Sequence, residues 1–250
     1  MHLAIDLSSN GIQIGKPGEA LNPKQSMRFS NLTDLAIKED LNLFFQEHSI
    51  RMAELSECTI SWSCVRTTLV PGNIFAESTP FSIFSLCFGK NYDSNTIDYN
   101  RIPEQSIVNI FEIPLWVKSY FVLKFPRAII QQEGSVIIRG LFGTSTFKLR
   151  ALLSIHDNYF GLTVVKENKL QFYSIFDYQN TDDIIYHFIF VLQQKEWFGS
   201  DIQVEICDGV GSTEEIIQEI EEKLKKFKEF QHKSIHTDTN FLINSHRFCV

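Results

Sequence analysis

Residues 4–15 read AIDLSSNGIQIG, a carboxylate followed closely by hydroxyl and amide side chains. That composition suits a loop that holds a phosphate: Asp6 would carry Mg²⁺ through water, and Ser8, Ser9 and Asn10 would face the anion with hydroxyls and backbone N–H groups. Phosphate loops commonly place glycine directly after the strand so that the backbone can come close, and here Leu7 and Ser8 stand in that place. The same stretch also makes a tight hairpin. Leu3, Ile5 and Leu7 alternate before Asn10-Gly11, Ile12 and Ile14 follow it, and Asn and Gly both tolerate the positive φ of a two-residue turn. The residue types favour the hairpin over the anion site.

Other reactive side chains are sparser. The chain holds no Gly-x-x-x-x-Gly-Lys-Ser/Thr, no Gly-x-Ser-x-Gly and no His-Glu-x-x-His, which leaves a P-loop, a hydrolase elbow and a zincin without support. His232 and His236 have the i, i+4 spacing of a helical metal pair, and His246 precedes Cys249 closely, but neither pair has a third ligand near it in sequence. Both pairs are expected in a solvated tail. His187, within an apolar helix, is expected to be a hydrogen-bonded core or interface residue. Asp182 and Asp183 are adjacent and so diverge on a helix, which makes them cap and dipole residues rather than a paired acid and base. Cys58, Cys64, Cys87, Cys207 and Cys249 are scattered with no CxxC pair, and reduced, buried thiols are the expectation.

The elements that must position these residues follow from periodicity. After the opening hairpin, Leu32–Glu47 is an amphipathic helix N-capped near Asn31 or Thr33. The strictly alternating run from Cys58 to Val65 is a strand, Pro80–Phe88 a helix, and Ile107–Ile113 a strand. Pro114 opens a helix that runs to Lys124 and is stopped by Pro126. Ala128–Gln131 is a short strand, and Gly134–Phe142 a helix or a linker between halves. The pattern then begins again with strands at 147–155, 159–165 and 170–176, the last two joined by the polar turn KENK. Thr181 caps a helix that is apolar nearly all round, with Asp182 and Asp183 in its first turn. A strand at Ile202–Cys207 leads through DGVGS to a helix from Thr213 to about Phe227, opened by a Ser212–Glu215 capping box. The tail is weakly patterned, with one strand and an irregular end. The fold class is therefore α/β, with two tandem units at 1–145 and 146–250.

Composition bounds the function. At 250 residues and 44% hydrophobic the chain can bury a sizeable core, and 22 phenylalanines point to aromatic-rich packing. A net charge of −7 offers no general footprint for nucleic acid. Without a charged leader before an apolar core or an apolar run of about 18 residues, the sequence reads as soluble and cytoplasmic, with no membrane contact.

The duplicated element order resembles the actin-like ATPase fold, a pair of ribonuclease H-like subdomains with mixed sheets flanked by helices and a cleft between them. More narrowly, LAIDLSSNGIQI, TTLVPGNIF at 67–75 and NKLQFYSIFDYQNTDDIIYHFIFVLQQ at 168–194 resemble the bacterial domain-of-unknown-function family 3822 over nearly the full length. The actin-like resemblance implies three nucleotide loops, at Asp6–Gly11, His156–Phe160 and Asp208–Ser212. In the second, Tyr159 and Phe160 stand where active members carry consecutive glycines, and two rings there would fill the volume of a phosphate. Asp157 and Gly161 are its remnants. The third, with Gly209, Gly211 and Ser212 opening a capped helix, keeps the most, since a helix N-terminus can face an anion or an adenosine.

The candidate cofactor-binding residues are thus Asp6, Ser8, Ser9, Asn10, Asp157, Gly209, Gly211 and Ser212. ATP and Mg²⁺ are disfavoured because two of the three loops lack their glycines. The leading expectation is a non-catalytic pseudo-ATPase that acts through an unidentified protein partner, with homo-oligomerisation open. The alternatives are a weak ATPase or small-molecule kinase using Asp6 and Asp157 around Mg²⁺, and a small-ligand binder with an aromatic-lined cleft.

Overall fold

The computed structural model describes residues 1–20, 25–48, 50, 55–143, 148–209, 214–230 and 235–249. They form two compact units, one of Met1–Gly140 with the chain from Leu242 onward, the other of Leu141–Phe241.

In the first unit the chain runs through β1 (His2–Leu7), β2 (Gly11–Gly15), β3 (Ser26–Arg28), α1 (Asp34–Glu47), β4 (Glu57–Trp62), β5 (Thr67–Pro71), α2 (Pro80–Phe88), β6 (Ile97–Ile102), β7 (Ile107–Glu112), α3 (Leu115–Lys124) and β8 (Ile129–Gln132). The main sheet has the order β3-β2-β1-β4-β8; β1, β4 and β8 are parallel, and the two pairings of β2 antiparallel. Strands β5-β7-β6 make a separate antiparallel sheet whose core includes Phe84 of α2. Helix α4 (Glu133–Gly143) follows β8.

The second unit continues with β9 (Leu149–Ile155), β10 (Tyr159–Lys166), β11 (Lys169–Asp177), α5 (Thr181–Gln194), β12 (Ile202–Asp208), α6 (Glu214–Lys225) and β13 (Ile235–Thr237), before α7 (Phe241–Ser245). Its sheet has the order β11-β10-β9-β12-β13, with β9, β12 and β13 parallel and both pairings of β10 antiparallel. The two five-stranded sheets therefore share one strand order and one set of directions.

Period-two alternation sends Leu3, Ile5 and Leu7 of β1 and Cys58, Ile60 and Trp62 of β4 into one core, and so turns Asp6, Thr59 and Ser61 to the opposite face. Thr33 caps α1, its hydroxyl accepting from the Ala36 N–H at 3.4 Å. Ile37, Leu41, Phe44 and Phe45 are the buried stripe of that helix, and Phe45 meets Phe121 and Phe125 edge-on at 6.3 and 5.3 Å. Such edge contacts add about 0.5–1.5 kcal/mol beyond burial.

Several local expectations are corrected. The opening hairpin forms, but neither Asn10 nor Gly11 has positive φ. The Ser8 N–H bonds Gly11 O at 3.0 Å, so Ser9-Asn10 is the turn and Gly11 already belongs to β2. The positive-φ pair lies instead in KENK, at Glu167 (φ 52°) and Asn168 (φ 55°). The cap of α5 is Asn180, one residue before Thr181, in a reciprocal box with Asp183. Segment 134–142 is helix, with Val136, Ile137, Ile138 and Leu141 buried. Among the free thiols Cys87 is exposed, while Cys58, Cys207 and Cys249 are buried.

The largest correction is the tail. His246 is 0% exposed and Cys249 7%. Asp238 starts the turn into α7, accepting the Asn240 N–H on Oδ1 at 2.9 Å and the Phe241 N–H on its carbonyl at 3.2 Å. Phe241, Leu242, Ser245, His246 and Cys249 then fall at helical spacing, and each is buried. His236 lies in β13 rather than on a helix, and His232 lies outside the described residues.

Candidate functional site

Parallel pairing of β1 with β4 sets His2 opposite Glu57, Ala4 opposite Thr59, and Asp6 opposite Ser61. Every second residue of β4, with His2 and Asp6 of β1, thus delivers a polar side chain to the same face. The Ser61 hydroxyl donates to the Asp6 carboxylate, and His246 Nε2 donates to Asp6 Oδ1 at 2.8 Å. The other ring nitrogen of His246 is 2.6 Å from Thr59 Oγ1, which is itself 2.8 Å from His2 Nε2, and His2 Nδ1 lies 3.7 Å from Glu57. Burial and then the neighbouring His246 push the His2 imidazole below its usual range, against the pull of Glu57.

Thr59, His246 and Asp6 stand in the order hydroxyl, imidazole, carboxylate that nucleophilic enzymes use. Here Thr59 is 1% exposed and His246 fully buried, and the three groups are bonded to one another. The chain of bonds is a structural network. It fastens the C-terminal segment to β1 and β4, and Asn244 extends the grip by accepting the Gly18 N–H at 2.7 Å.

The loop after β1 is equally self-contained. Ser8 is buried and its hydroxyl accepts the Asn10 N–H at 3.1 Å, while the Ser9 hydroxyl, exposed, donates to Asn10 Oδ1 at 3.1 Å. With the Ser8 N–H on Gly11, two amides that a phosphate would need are committed inside the turn. Asp6, 2% exposed with both donors on one oxygen, does not fit a Mg²⁺ carboxylate that works through water. One feature favours a ligand: the buried Ser63 hydroxyl just past β4 has no hydrogen-bond partner among the described residues.

In the second unit, the His156 N–H bonds Tyr159 O at 3.0 Å and the Tyr178 hydroxyl donates to His156 O. The His156 ring stacks on Tyr159 at 4.3 Å and 15°. Phe160 points the other way, fully buried in the core against Phe176 at 5.4 Å. The expectation that both rings fill the loop is therefore half wrong, because successive residues of a strand face opposite sides. Gly161 is explained by its neighbour strand, since a Cβ there would lie 2.6 Å from Ser154 Oγ. Asp157 stands half-buried at the hairpin tip, and its charge adds to burial in raising the Tyr178 phenol above its usual range.

At the third turn, the Gly209 N–H bonds Ile155 O at 2.7 Å, and a Cβ on Gly209 would come within 2.2 Å of His156 Cε1. This glycine makes room for an imidazole. Gly211 and Ser212, the latter being the capping partner expected for Glu215, lie outside the described residues. The structure thus brings Gly209 against the His156 turn, while Asp6 is joined to residues from β4 and the tail instead of to Ser8, Ser9 or Asn10.

The profile of the family described as Protein of unknown function (DUF3822) matches residues 2–227. The chain belongs to this family. Among solved structures, it is similar to a protein of actin-like ATPase fold and unknown function from Bacteroides thetaiotaomicron VPI-5482, at 17% identity, over 99% of this chain and 94% of that one, with a TM-score of 0.72. The PilM–PilN type IV pilus biogenesis complex matches at 10% identity, over 97% of this chain and 89% of that one, with a TM-score of 0.54. No curated protein matches. This DUF3822 protein has the actin-like ATPase fold, two ribonuclease H-like sheets flanked by helices.

His2, Thr59 and Ser61 were not singled out by sequence, and His246 was placed in a solvated tail, although a signal for the polar face of β4 existed. In CTISWSCV the positions between the apolar ones are Thr59, Ser61 and Ser63, a polar face on a strand with no charge to keep it in water. His187 is half-buried and held by ring contacts, with Phe176 at 4.6 Å, where a hydrogen bond was expected. Asp182 and Asp183 do diverge, Asp182 to Lys223 at 2.7 Å and Asp183 to the cap. Among the described residues no three His, Cys, Asp or Glu gather to hold a metal, and no helix is long and apolar enough to cross a membrane.

Proposed function

We propose that this DUF3822 protein is a cytoplasmic, non-catalytic member of the actin-like fold, a pseudo-ATPase that works by binding a protein partner. The observation that carries the reading is Asp6: the carboxylate expected to organise Mg²⁺ is buried and hydrogen-bonded by Ser61 and by His246 of the chain's own C-terminal segment. Support comes from the third turn, where the room beside Gly209 goes to the His156 ring, and from the pilus-biogenesis neighbour, whose structure is that of a complex with a partner. The shared strand order of the two sheets supports reading 1–145 and 146–250 as an internal duplication.

Calorimetric titration with ATP and ADP, with and without Mg²⁺, tests the reading: no saturable heat is expected, and a micromolar Kd overturns it. The Ser63 hydroxyl favours a second reading, a weak ATPase or small-molecule kinase. That reading requires Asp6→Ala and Asp157→Ala each to abolish turnover.

A further inference from the structure

The Thr59 hydroxyl stands between two imidazoles, 2.6 Å from His246 Nδ1 and 2.8 Å from His2 Nε2. A hydroxyl brings one hydrogen, so it donates to one ring and accepts from the other. Two arrangements satisfy the row. When Thr59 donates to His246, the His2 Nε2–H donates to Thr59. When Thr59 donates to His2, the His246 Nδ1–H donates to Thr59, and His246, which already gives its Nε2–H to Asp6, is then a cation. The row therefore has room for one charged imidazole. A second proton sets an N–H on both sides of the same oxygen, and the hydrogen of Thr59, at 1% exposure, must turn away from both rings. Two cations then face each other across one hydroxyl.

His2 is the end of the row nearest water, its side chain 15% exposed, so the proton enters there. Glu57 of β4, 3.7 Å away and half-exposed, favours a charge on that ring, while His246 of the C-terminal segment and the N-terminal amine of Met1 oppose it. Asp6 of β1 sits at the far end, beyond His246. Protons on two rings so coupled belong to the pair and not to either ring. One of the two rings is carried by the C-terminal segment, whose other fastenings include neutral hydrogen bonds: Gln131 Nε2 donates to Cys249 O at 3.4 Å, and the Gly18 N–H to Asn244 Oδ1 at 2.7 Å. Lifting the segment takes His246 away from Thr59 and leaves His2 to titrate as an ordinary imidazole. The lifted state thus binds the second proton more readily than the seated one, and falling pH favours it.

We propose that residues 242–249 form a pH-sensitive latch, seated on β1 and β4 while the His2–Thr59–His246 row holds one positive charge or none, and released as it takes a second. Release uncovers the polar face that carries Asp6, Thr59 and Ser61. The latch is independent of the non-catalytic reading and stands or falls without it.

Hydrogen exchange of the intact chain, read by mass spectrometry with labelling times scaled for the intrinsic rate at each pH, reports local opening of the segment. An imidazole that titrates near 6.5 when uncovered and lower when covered should raise the opening constant of peptides spanning 241–249 about three- to tenfold between about pH 7.5 and about pH 5.5. Peptides from β12 of the second unit should hold constant over the same range. His2→Asn keeps an N–H for Thr59 and takes up no proton, so it should abolish the rise; Thr59→Ser keeps the hydroxyl and should preserve it. Exchange at 241–249 that ignores pH, a rise that survives His2→Asn, or an equal rise in β12 would each overturn the latch. If His2→Asn fails to fold by circular dichroism, imidazole NMR of the wild-type chain decides: a His2 midpoint below about 6.5 is expected, and one at or above it refutes the proposal.

Discussion

Replacing His246 with alanine removes the Nε2 donor from Asp6 and the imidazole partner from Thr59, at positions 2% and 1% exposed. Water cannot take over at such burial. A buried charged group stripped of one partner costs about 3–5 kcal/mol; the hydrogen bond to the carboxylate accounts for about 1.5–3 of that. The emptied imidazole space adds to it, because a packed core closes only partly over a deletion. Set against a total stability of about 5–15 kcal/mol, the variant should lie close to the edge of folding.

Of the three tryptophans, Trp62 and Trp116 lie in the first unit and Trp197 in the second. In a Trp197→Phe background, fluorescence therefore reports the unit that holds the network. Urea titration should show His246→Ala lowering the midpoint by about 1–5 M, at a slope of about 1–3 kcal/mol per molar. A double-mutant cycle with Asp6→Asn should give a coupling above the roughly 0.3–0.5 kcal/mol scatter of independent sites. A loss under about 1 kcal/mol for His246→Ala, or additivity of the two substitutions, would refute the assignment of Asp6 to a structural network.

Three further outcomes follow from particular contacts. Since the folded His2 has its pKa below 6.5, the unfolded chain binds more protons just under that value, so stability should fall as pH drops through about 6.5 and level off below the folded pKa; His2→Asn should flatten that slope in a urea–pH series. Arg150 and Glu205 form a buried bidentate pair at 2.7 and 2.9 Å, 8% and 9% exposed as side chains, so Glu205→Ala alone should cost about 3–5 kcal/mol while Arg150→Met/Glu205→Leu together should cost far less in chemical denaturation. Gly209→Ala should cost about 1–3 kcal/mol through its clash with the His156 ring, and His156→Ala should relieve it in a thermal melt.

The main sheets were legible because alternation in AIDLSSNGIQI, CTISWSCV and the strands after residue 149 is strong. Strands β3 and β6 were not, one being three residues long and the other carrying Asp98, Asn100 and Arg101 among half-exposed positions. Asp6 stood out as chemistry, yet its partners did not, since they lie 55 and 240 residues away and meet it only through parallel pairing and the return of the tail. The tail itself was readable in part, for DTNFLINSHRFC carries a turn former followed by apolar residues at helical spacing. Tyr159 and Phe160 were misread together because the alternation of a strand, which separates them, was set aside at a loop.

In the non-catalytic reading, Asp6 joins β1 to β4 and the C-terminal segment and holds no nucleotide's metal. Its most direct test is the unfolding midpoint of the Trp197→Phe chain, followed through Trp62 and Trp116 in the presence and absence of millimolar Mg-ATP. Nucleotide bound with a micromolar Kd would, at about a thousand times that Kd, stabilise the folded chain by about 4 kcal/mol. No shift of the midpoint is expected, and a stabilisation of that size, abolished by Asp6→Asn, would contradict the non-catalytic reading.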